Sequence, residues 1–226
     1  MEQPKVSVVM PIIITEKWQE YVTEACIRVH RENTNVPFEL IIVETLSDKC
    51  KGIGEDKYLH HNERTGYAKD FNSGIDVATG DFIVHTANDV FPQLGWLEAL
   101  LECFEIADCG VALLGSKELR HVRCKKIIES MSSPQLMMFR KGHKFDEYYK
   151  NVMVDMDLIM QLYTEGFRSY RNLSVLYHHL GEMTVTTLFE GEAIMKQDTT
   201  AIDYFRSKFQ NSPLVMYRIM ESGQLC

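Results

Sequence analysis

Short apolar runs alternate with stretches in which apolar residues recur every three or four positions along the first half of the chain. The short runs, rich in β-branched residues, predict strands at Val6–Met10, Phe38–Val43, Lys57–His61, Asp81–His85 and Gly110–Leu114. The recurring apolar residues predict helices after Thr15, over Tyr67–Ala78 and over Gly95–Phe104. In the first helix, the stripe expected to be buried consists of Trp18, Tyr21, Val22, Ala25, Cys26 and Val29. This alternation favours an α/β fold with a largely parallel sheet covered by helices on both faces.

The second half of the chain alternates less regularly. Strands are predicted at Gln135–Phe139 and Leu173–Tyr177, and helices at Asp155–Gly166 and Ala201–Phe209. The sequence contains no internal repeat and no low-complexity tract. A length of 226 residues suits one domain with its own core, or one domain with a small appendage.

Composition and charge narrow the class of protein. An apolar fraction of 45% and a charged fraction of 25% are ordinary for a soluble protein. The net charge of −8 disfavours nucleic acid or an anionic membrane as a partner. The six cysteines have no C-x-x-C or metal-finger spacing, so we expect reduced thiols. The chain shows no signal peptide and no segment of membrane-spanning length, so we expect a cytoplasmic protein, at most peripheral to a membrane.

The motifs of several large enzyme classes are missing from the sequence. Gly52-Ile53-Gly54 lacks the third glycine of the dinucleotide-binding fingerprint and does not open a predicted helix. The chain contains neither a P-loop nor the G-x-S-x-G turn of α/β hydrolases. A dinucleotide-dependent enzyme, a P-loop NTPase and a serine hydrolase are therefore disfavoured.

Candidate ligand-binding residues follow three of the predicted strands, at the edge where ligands of parallel α/β sheets bind. Ile13 follows the first strand, Glu44 the second, and Asp89 the strand Asp81–His85. A carboxylate at the end of a buried strand can hold a divalent cation against a phosphate. Asp89 could equally cap the next helix or close the turn before Pro92. Position alone does not choose between these two roles.

Three further groups of polar residues are candidates for chemistry. Asp155-Met156-Asp157 could supply a general base, or could stabilise a helix N-terminus through its dipole. His178 and His179 could bind a metal, or could be satisfied structural histidines. In the stretch from Asn62 to Gly74, a helix would place Lys69 and Asn72 on one face, near a diphosphate or a sugar. The alternative for that stretch is a capped surface helix.

In their order along the chain, these segments resemble the family 2 glycosyltransferases, which are inverting enzymes with the GT-A (nucleotide-diphospho-sugar transferase) fold. The similarity runs from about Val6 to His179. The residues that carry it are Val6–Pro11 with Phe38–Ser47 (the family's "vvDdgS" turn), Asn62–Asp81 ("N-x-G-x-a-x-a-x-N-x-G-i-x-x-A-x-G-D"), Ala87–Leu97 ("n-n-D-x-x-p-x-p-G-W-L"), and Phe145–Gly166 ("F-D-E-x-f…E-D-x-D-L…a-G-y"). Asp203–Phe209 is also similar to the tail of rhamnosyltransferase-like members.

The resemblance implies a role for each candidate residue. Asp155 would be the general base on the acceptor hydroxyl. Asp89 would hold Mg²⁺ or Mn²⁺ on the donor diphosphate, with His178, or less favourably His179, completing the metal site. The residues implied to line the nucleotide sugar are Pro11, Ile13, Glu44, Gly66, Lys69, Asn72, Asn88 and Asp89. The donor would be a UDP, dTDP or GDP sugar, and the acceptor a hydroxyl of a glycan, a lipid-linked molecule, a protein or a nucleic acid.

The resemblance also implies a division of the chain. Residues 1–182 would form the GT-A domain, with a nucleotide-sugar half at 1–110 and an acceptor half at 111–182. Residues 183–226 would form a helical C-terminal extension.

Departures from the family pattern leave a second function open. Ala87 occupies the first acidic position of the metal motif, and Val154 replaces the usual glutamate before Asp155. Glu44 is one methylene longer than the expected aspartate, and Gln161 stands where an arginine is common. These departures suit a catalytically inactive sugar-nucleotide or glycan-binding module on the same fold. A nucleotidyltransferase is a third possibility, but the chain lacks the glycine-rich loop expected after its first strand.

Overall fold

The computed structural model describes residues 5–115, 126–132, 134–150, 152–181 and 199–210. Along the chain these residues form β1 (Val6–Ile12), α1 (Lys17–Glu32), β2 (Glu39–Thr45), β3 (Lys57–His61), α2 (Tyr67–Val77), β4 (Phe82–Thr86), β5 (Val90–Pro92), α3 (Trp96–Cys103), β6 (Cys109–Gly115), β7 (Ile127–Glu129), β8 (Leu136–Arg140), α4 (Val154–Thr164), β9 (Arg168–His179) and α5 (Thr199–Phe209). The predicted elements are present with shifts of a few residues. The short strands β5 and β7 were not predicted, and β9 begins five residues before its predicted start.

The strands form one mixed sheet in the order β3-β2-β1-β4-β8-β6-β9-β5, with β7 also paired to β9. The first four strands are parallel to one another, as predicted. Strand β8 is antiparallel to both of its neighbours, β4 and β6. Strand β9 runs parallel to β6 and antiparallel to β5 and β7. The carboxyl ends of β1, β2 and β4 therefore meet at one edge, while the second half of the sheet adds strands of both directions.

Two apolar layers cover the two faces of the sheet. Successive residues of a strand point to opposite faces, so Val8 and Met10 of β1 join the layer under α1 and α3, and Val9 joins the layer under α2, α4 and α5. Helices on both faces agree with the prediction. Four cysteines within the described ranges are buried free thiols, namely Cys26, Cys50, Cys103 and Cys109.

The buried face of α1 differs from the predicted one. Trp18 is 46% exposed and Tyr21 is 60% exposed, so the prediction that they are buried is wrong. The buried residues of α1 are Gln19, Thr23, Cys26, Ile27 and His30. Polar members of this set are tolerated because each finds partners: the Gln19 side-chain oxygen accepts bonds from two backbone N–H groups at the helix start, and His30 contacts the Cys26 carbonyl oxygen at 2.9 Å.

Helix α5 belongs to the same core as the rest of the sheet. Its residues Ala201, Phe205 and Phe209 are buried in the layer that also holds α2 and α4. Helix α5, the described part of the predicted C-terminal extension, thus packs against the domain. Residues 182–198 and 211–226 lie outside the described residues, so the predicted boundary at residue 182 stays a prediction.

Candidate active site at the carboxyl edge of the sheet

Asp89 lies in the turn between β4 and β5, and its side chain is buried. The β5–β9 pairing places Val90 opposite His179, and the backbone N–H of Leu180 donates to the Asp89 carbonyl oxygen at 3.0 Å. This pairing brings Nε2 of His179 to 3.2 Å from Oδ2 of Asp89. The structure therefore joins two predicted metal ligands that lie ninety residues apart in the sequence.

The two histidines do not share one position relative to Asp89. His178 is opposite Phe91 in the strand pair and is exposed. Because neighbouring strand residues face opposite sides, His178 is directed away from the carboxylate that His179 contacts. The structure therefore brings His179, and not His178, to Asp89. Within the described ranges, no group of three or more His, Cys, Asp or Glu side chains is placed to hold a metal ion.

Asp155 is the second residue of α4. The residue that precedes the helix, Met153, has a positive φ of 63°. The start of α4 is favourable for a carboxylate because the helix dipole and the unpaired N–H groups are positive there. Burial, then the charges of Asp155 and Asp89, raise the pKa of the Tyr67 phenol well above its ordinary value. The charges of Asp89 and Asp155 are thus among the causes that oppose ionisation of Tyr67.

Tyr67, the first residue of α2, forms a hydrogen-bonded pair with His85. The Tyr67 hydroxyl oxygen lies 2.9 Å from Nε2 of His85. His85 is buried inside β4, and burial lowers its pKa to about 3, so its imidazole is neutral near physiological pH. Sequence reasoning missed this pair. The one available signal was a histidine directly after the apolar run Phe82–Val84, because a buried polar side chain needs a partner.

Glu44 is fully engaged in folding the loop after β2. Its carboxylate accepts bonds from the hydroxyl groups of Ser47 and Tyr58 and from the backbone N–H groups of Lys49 and Cys50, at 2.5 to 2.9 Å. Four bonds use the acceptor capacity of a carboxylate. Contact of Glu44 with a base or ribose would therefore require one of these bonds to be exchanged.

Asn72 is also occupied by protein partners. Its amide exchanges two hydrogen bonds with the backbone of Phe145, both of 2.9 Å, and donates to Glu147 at 3.0 Å. Lys69 is exposed while Asn72 is buried. Through its bonds with Phe145, Asn72 ties α2 to the segment before α4.

Gly66 directly precedes the first residue of α2. Its φ of +97° is a conformation that residues other than glycine rarely adopt.

The other nucleotide candidates lie at the same edge with different exposure. Asn88 is buried and donates to the Thr23 hydroxyl at 2.8 Å, which fastens the Asp89 turn to α1. Pro11 is buried within β1 opposite Val43, and Ile13 is half-buried just beyond the strand. Of Pro11, Ile13 and Asn88, Ile13 is the residue whose side chain is partly exposed and therefore accessible to a ligand.

The sequence of residues 7–161 matches the model of the family described as Glycosyl transferase family 2. The chain belongs to glycosyl transferase family 2. This confirms the family suggested by the sequence motifs and identifies the chain as a glycosyltransferase domain. No curated protein was found that matches it by sequence.

Solved structures similar to this family 2 domain confirm the GT-A fold. Mannosyltransferase PcManGT from Pyrobaculum calidifontis, in complex with GDP-Man and Mn²⁺, has a TM-score of 0.65 at 16% identity, over 80% of this chain and 59% of that one. GalNAc-T7 with UDP, GalNAc and Mn²⁺ has a TM-score of 0.64 at 10% identity, over 79% and 44%. TarS from S. aureus has a TM-score of 0.58 at 19% identity, over 76% and 36%. The chain spans less than two thirds of each.

Within the ranges that the structure covers, no helix has the length and apolar character needed to cross a bilayer.

Proposed function

We propose that this domain transfers a sugar from a nucleotide-diphosphate donor to an acceptor hydroxyl with inversion, in a metal-dependent reaction with Asp155 as general base. The observation that carries the proposal is the contact of Nε2 of His179 with Oδ2 of Asp89 at 3.2 Å, which pairs two candidate metal ligands at the carboxyl edge of a family 2 glycosyltransferase domain. A metal-binding carboxylate and a base must stand on opposite sides of the sugar that moves between them, and Asp155 at the start of α4 is the candidate base.

The proposed chemistry divides between the two carboxylates. Inverting transfer needs one base to accept the proton of the attacking hydroxyl, and Asp155 at the start of α4 takes that part. When bound, a divalent cation would stabilise the negative charge that develops on the departing diphosphate.

Asp89 and His179 would hold that cation. Carboxylate oxygen and neutral imidazole nitrogen are suitable ligands for Mn²⁺, and Mg²⁺ is commonly held by one or two carboxylates together with substrate phosphates. The pair at 3.2 Å fits an ion whose other ligands come from the donor diphosphate and water. The proposal includes Mg²⁺ as well as Mn²⁺.

For the donor, we propose a UDP, GDP or dTDP sugar lying along the edge from Ile13 to Asp89. Ile13, Gly66 and Lys69 would contact it directly. Glu44, Asn72 and Asn88 would act through the loops that they hold, because their polar groups are bonded to protein. The acceptor class stays open among glycan, lipid-linked, protein and nucleic-acid hydroxyls.

A catalytically inactive binding module on the same fold is the second candidate. The observation in its favour is that the candidate metal site has two protein ligands, with Ala87 in place of a further acidic residue. Such a module would bind a nucleotide sugar and release no nucleotide from it.

Nucleotide release from a panel of UDP, GDP and dTDP sugars separates the two functions. The parent should release nucleoside diphosphate with Mn²⁺ or Mg²⁺ and stop on chelation. Asp155→Asn should keep the parent's donor affinity but turn over at least about 100-fold more slowly, the usual effect of losing a general base. Asp203→Asn, an exposed aspartate on α5, is the matched control and should resemble the parent.

Each result has a defined meaning. If Asp155→Asn turns over at the parent rate, Asp155 is not the base. If the parent binds a nucleotide sugar without releasing nucleotide under any condition, the domain is a binding module. If it binds no member of the panel, the proposed donor class is wrong.

A further inference from the structure

A histidine and a buried aspartate form a pair at the outer end of the same sheet edge. His61 is the last residue of β3, the edge strand of the sheet, and Asp70 lies in the first turn of α2. Nδ1 of His61 lies 2.7 Å from Oδ1 of Asp70, and the Thr65 hydroxyl donates to the same carboxylate oxygen. The Asp70 side chain is 5% exposed and the His61 side chain 22% exposed. The aspartate is thus buried behind a histidine ring that reaches the surface.

The contact with Asp70 determines which nitrogen of His61 faces outward. A carboxylate can only accept hydrogen bonds, so the proton in the 2.7 Å contact belongs to Nδ1. Nε2 has no hydrogen-bond partner among the described residues, and it is not one of their buried atoms that lack a partner, so it is open to solvent. In the neutral imidazole, this nitrogen carries the lone pair. His61 therefore presents a hydrogen-bond acceptor at the surface, held in one orientation by Asp70.

The order of the strands places His61 in line with the candidate donor site. The order β3-β2-β1-β4 puts His61 at one end of the edge and Asp89, which follows β4, at the other. Ile13 follows β1, between them. Three strand spacings separate β3 from β4, which amounts to roughly 14 Å. A nucleotide with its diphosphate at Asp89 and its ribose near Ile13 would carry its base to the ends of β2 and β3.

The end of β2 offers an apolar surface beside His61. Glu44, the candidate expected to contact the base, is bonded to its own loop. Leu46, two residues later, has a φ of 70° and a side chain that is 50% exposed. Its N–H donates to the carbonyl oxygen of His61 at 2.9 Å, so the two residues lie side by side. Residues with such uncommon backbone angles cluster at ligand sites. Leu46 can cover the face of a planar base whose edge reaches His61.

We propose that His61 binds the base of the donor nucleotide, with Nε2 accepting a hydrogen bond from a ring N–H of the base, and that Asp70 is the positioning residue that orients the imidazole. The inference rests on the proposed function, because it concerns the base-binding end of the same donor site. Uracil, thymine and guanine have a ring N–H on their pairing edge, whereas cytosine and adenine have a bare ring nitrogen there. An acceptor facing that bare nitrogen makes no bond, so His61 disfavours cytosine and adenine donors.

The test compares nucleoside diphosphates that differ at this ring nitrogen. UDP with CDP, dTDP with dCDP, and GDP with ADP form three pairs, and each compound is titrated with Mn²⁺ by calorimetry. In the pair that binds most tightly, the parent should bind the member with the ring N–H at least about tenfold more tightly, as expected for one hydrogen bond.

His61→Phe keeps an aromatic ring but removes the acceptor. The affinity ratio within that pair should therefore fall to about twofold or less. His60→Phe is the matched control, because His60 is the exposed neighbour on β3 and successive strand residues face opposite sides. This control should keep the parent's ratio.

Asp70→Asn tests the positioning role. An amide can donate to Nδ1 as well as accept from it, so the imidazole is no longer held in one tautomer and the affinity ratio should fall. A purely structural role would weaken both members of a pair equally and leave the ratio unchanged. The double variant His61→Phe with Asp70→Asn should have the same ratio as His61→Phe. It also removes the buried charge that His61→Phe leaves without its histidine, so it keeps the test available if the single variant is unstable.

Two results would overturn this inference while leaving the proposed function intact. In one, the parent releases nucleotide from a sugar donor but binds the cytosine or adenine member of the pair as tightly as its partner, or more tightly. In the other, His61→Phe keeps the parent's ratio. If the parent binds no nucleoside diphosphate and releases none from any sugar donor, the proposed function and this inference fail together.

Discussion

Removing the charge of Lys208 should expose how strongly the C-terminal helix supports the start of α4. Nζ of Lys208 lies 2.8 Å from Oδ1 of Asp157 and 2.7 Å from Oδ2 of Asp146. Asp157 is fully buried in the first turn of α4, two residues after Asp155. Burial opposes the charge of Lys208, but hydrogen bonds to Asp146 and Asp157 prevail and raise its pKa above the ordinary value.

The expected magnitude follows from the burial of Asp157. Lys208→Met keeps most of the length of the side chain but leaves a buried carboxylate without its cation, which typically costs about 3–5 kcal/mol. Gln161 still donates to Asp157 at 2.5 Å, and the N-terminal end of α4 favours a negative charge. We therefore expect the lower end, about 3 kcal/mol, a large share of a typical folding free energy.

Urea unfolding near neutral pH measures this loss. Arg206→Met is the control, because its pairing with Asp203 is exposed and should contribute at most about 1 kcal/mol. The double variant Lys208→Met with Asp157→Asn should recover much of the stability, since it removes the unpaired charge itself. A loss below about 1 kcal/mol in Lys208→Met, or no recovery in the double variant, would refute the reasoning that the buried carboxylate depends on Lys208.

Two further predictions concern stability. Burial lowers the pKa of His30 to about 4 and that of His85 to about 3, below the ordinary value of 6.5. The neutral forms of both histidines therefore stabilise the fold above about pH 6.5, and this contribution to stability should be lost as the pH falls toward 4. Urea midpoints measured across this range should decline, and less steeply in His85→Leu; an equal slope in that variant would contradict the assignment. Gly80→Ala should lose about 1–3 kcal/mol of folding free energy, because the added Cβ would lie 2.6 Å from the backbone nitrogen of Ser7. Thermal unfolding measures this loss, with the exposed Thr79→Ala as the control. If both variants unfold at the same temperature as the parent, the prediction is wrong.

The sequence by itself was sufficient for most of the elements and for the edge where the candidate site lies. Strand and helix patterns depend on neighbouring residues, so the parallel strands β1 to β4 and helices α2, α3 and α4 could be predicted from local periodicity. Asp89 and Asp155 could be placed at element boundaries for the same reason. The family motifs depend on local spacing too, and the family assignment and the GT-A fold agree with them.

The tertiary structure decided which partner each polar group has. Periodicity shows that α1 has an apolar stripe, but contacts with distant strands determine that Gln19 and His30 are buried while Trp18 is exposed. The pairing of β5 with β9 selects His179 for Asp89.

The same dependence on distant residues explains why some candidate site residues are already bonded to protein partners and why the sequence did not reveal the Tyr67–His85 pair. Asn72 is used by Phe145 and Glu44 by its own loop, and Tyr67 meets His85 across two elements. Local sequence determines the secondary structure because its hydrogen bonds and side-chain periodicity involve near neighbours. The satisfaction of buried polar groups involves residues far apart in the chain, and it is settled only when the sheet and its helices pack together.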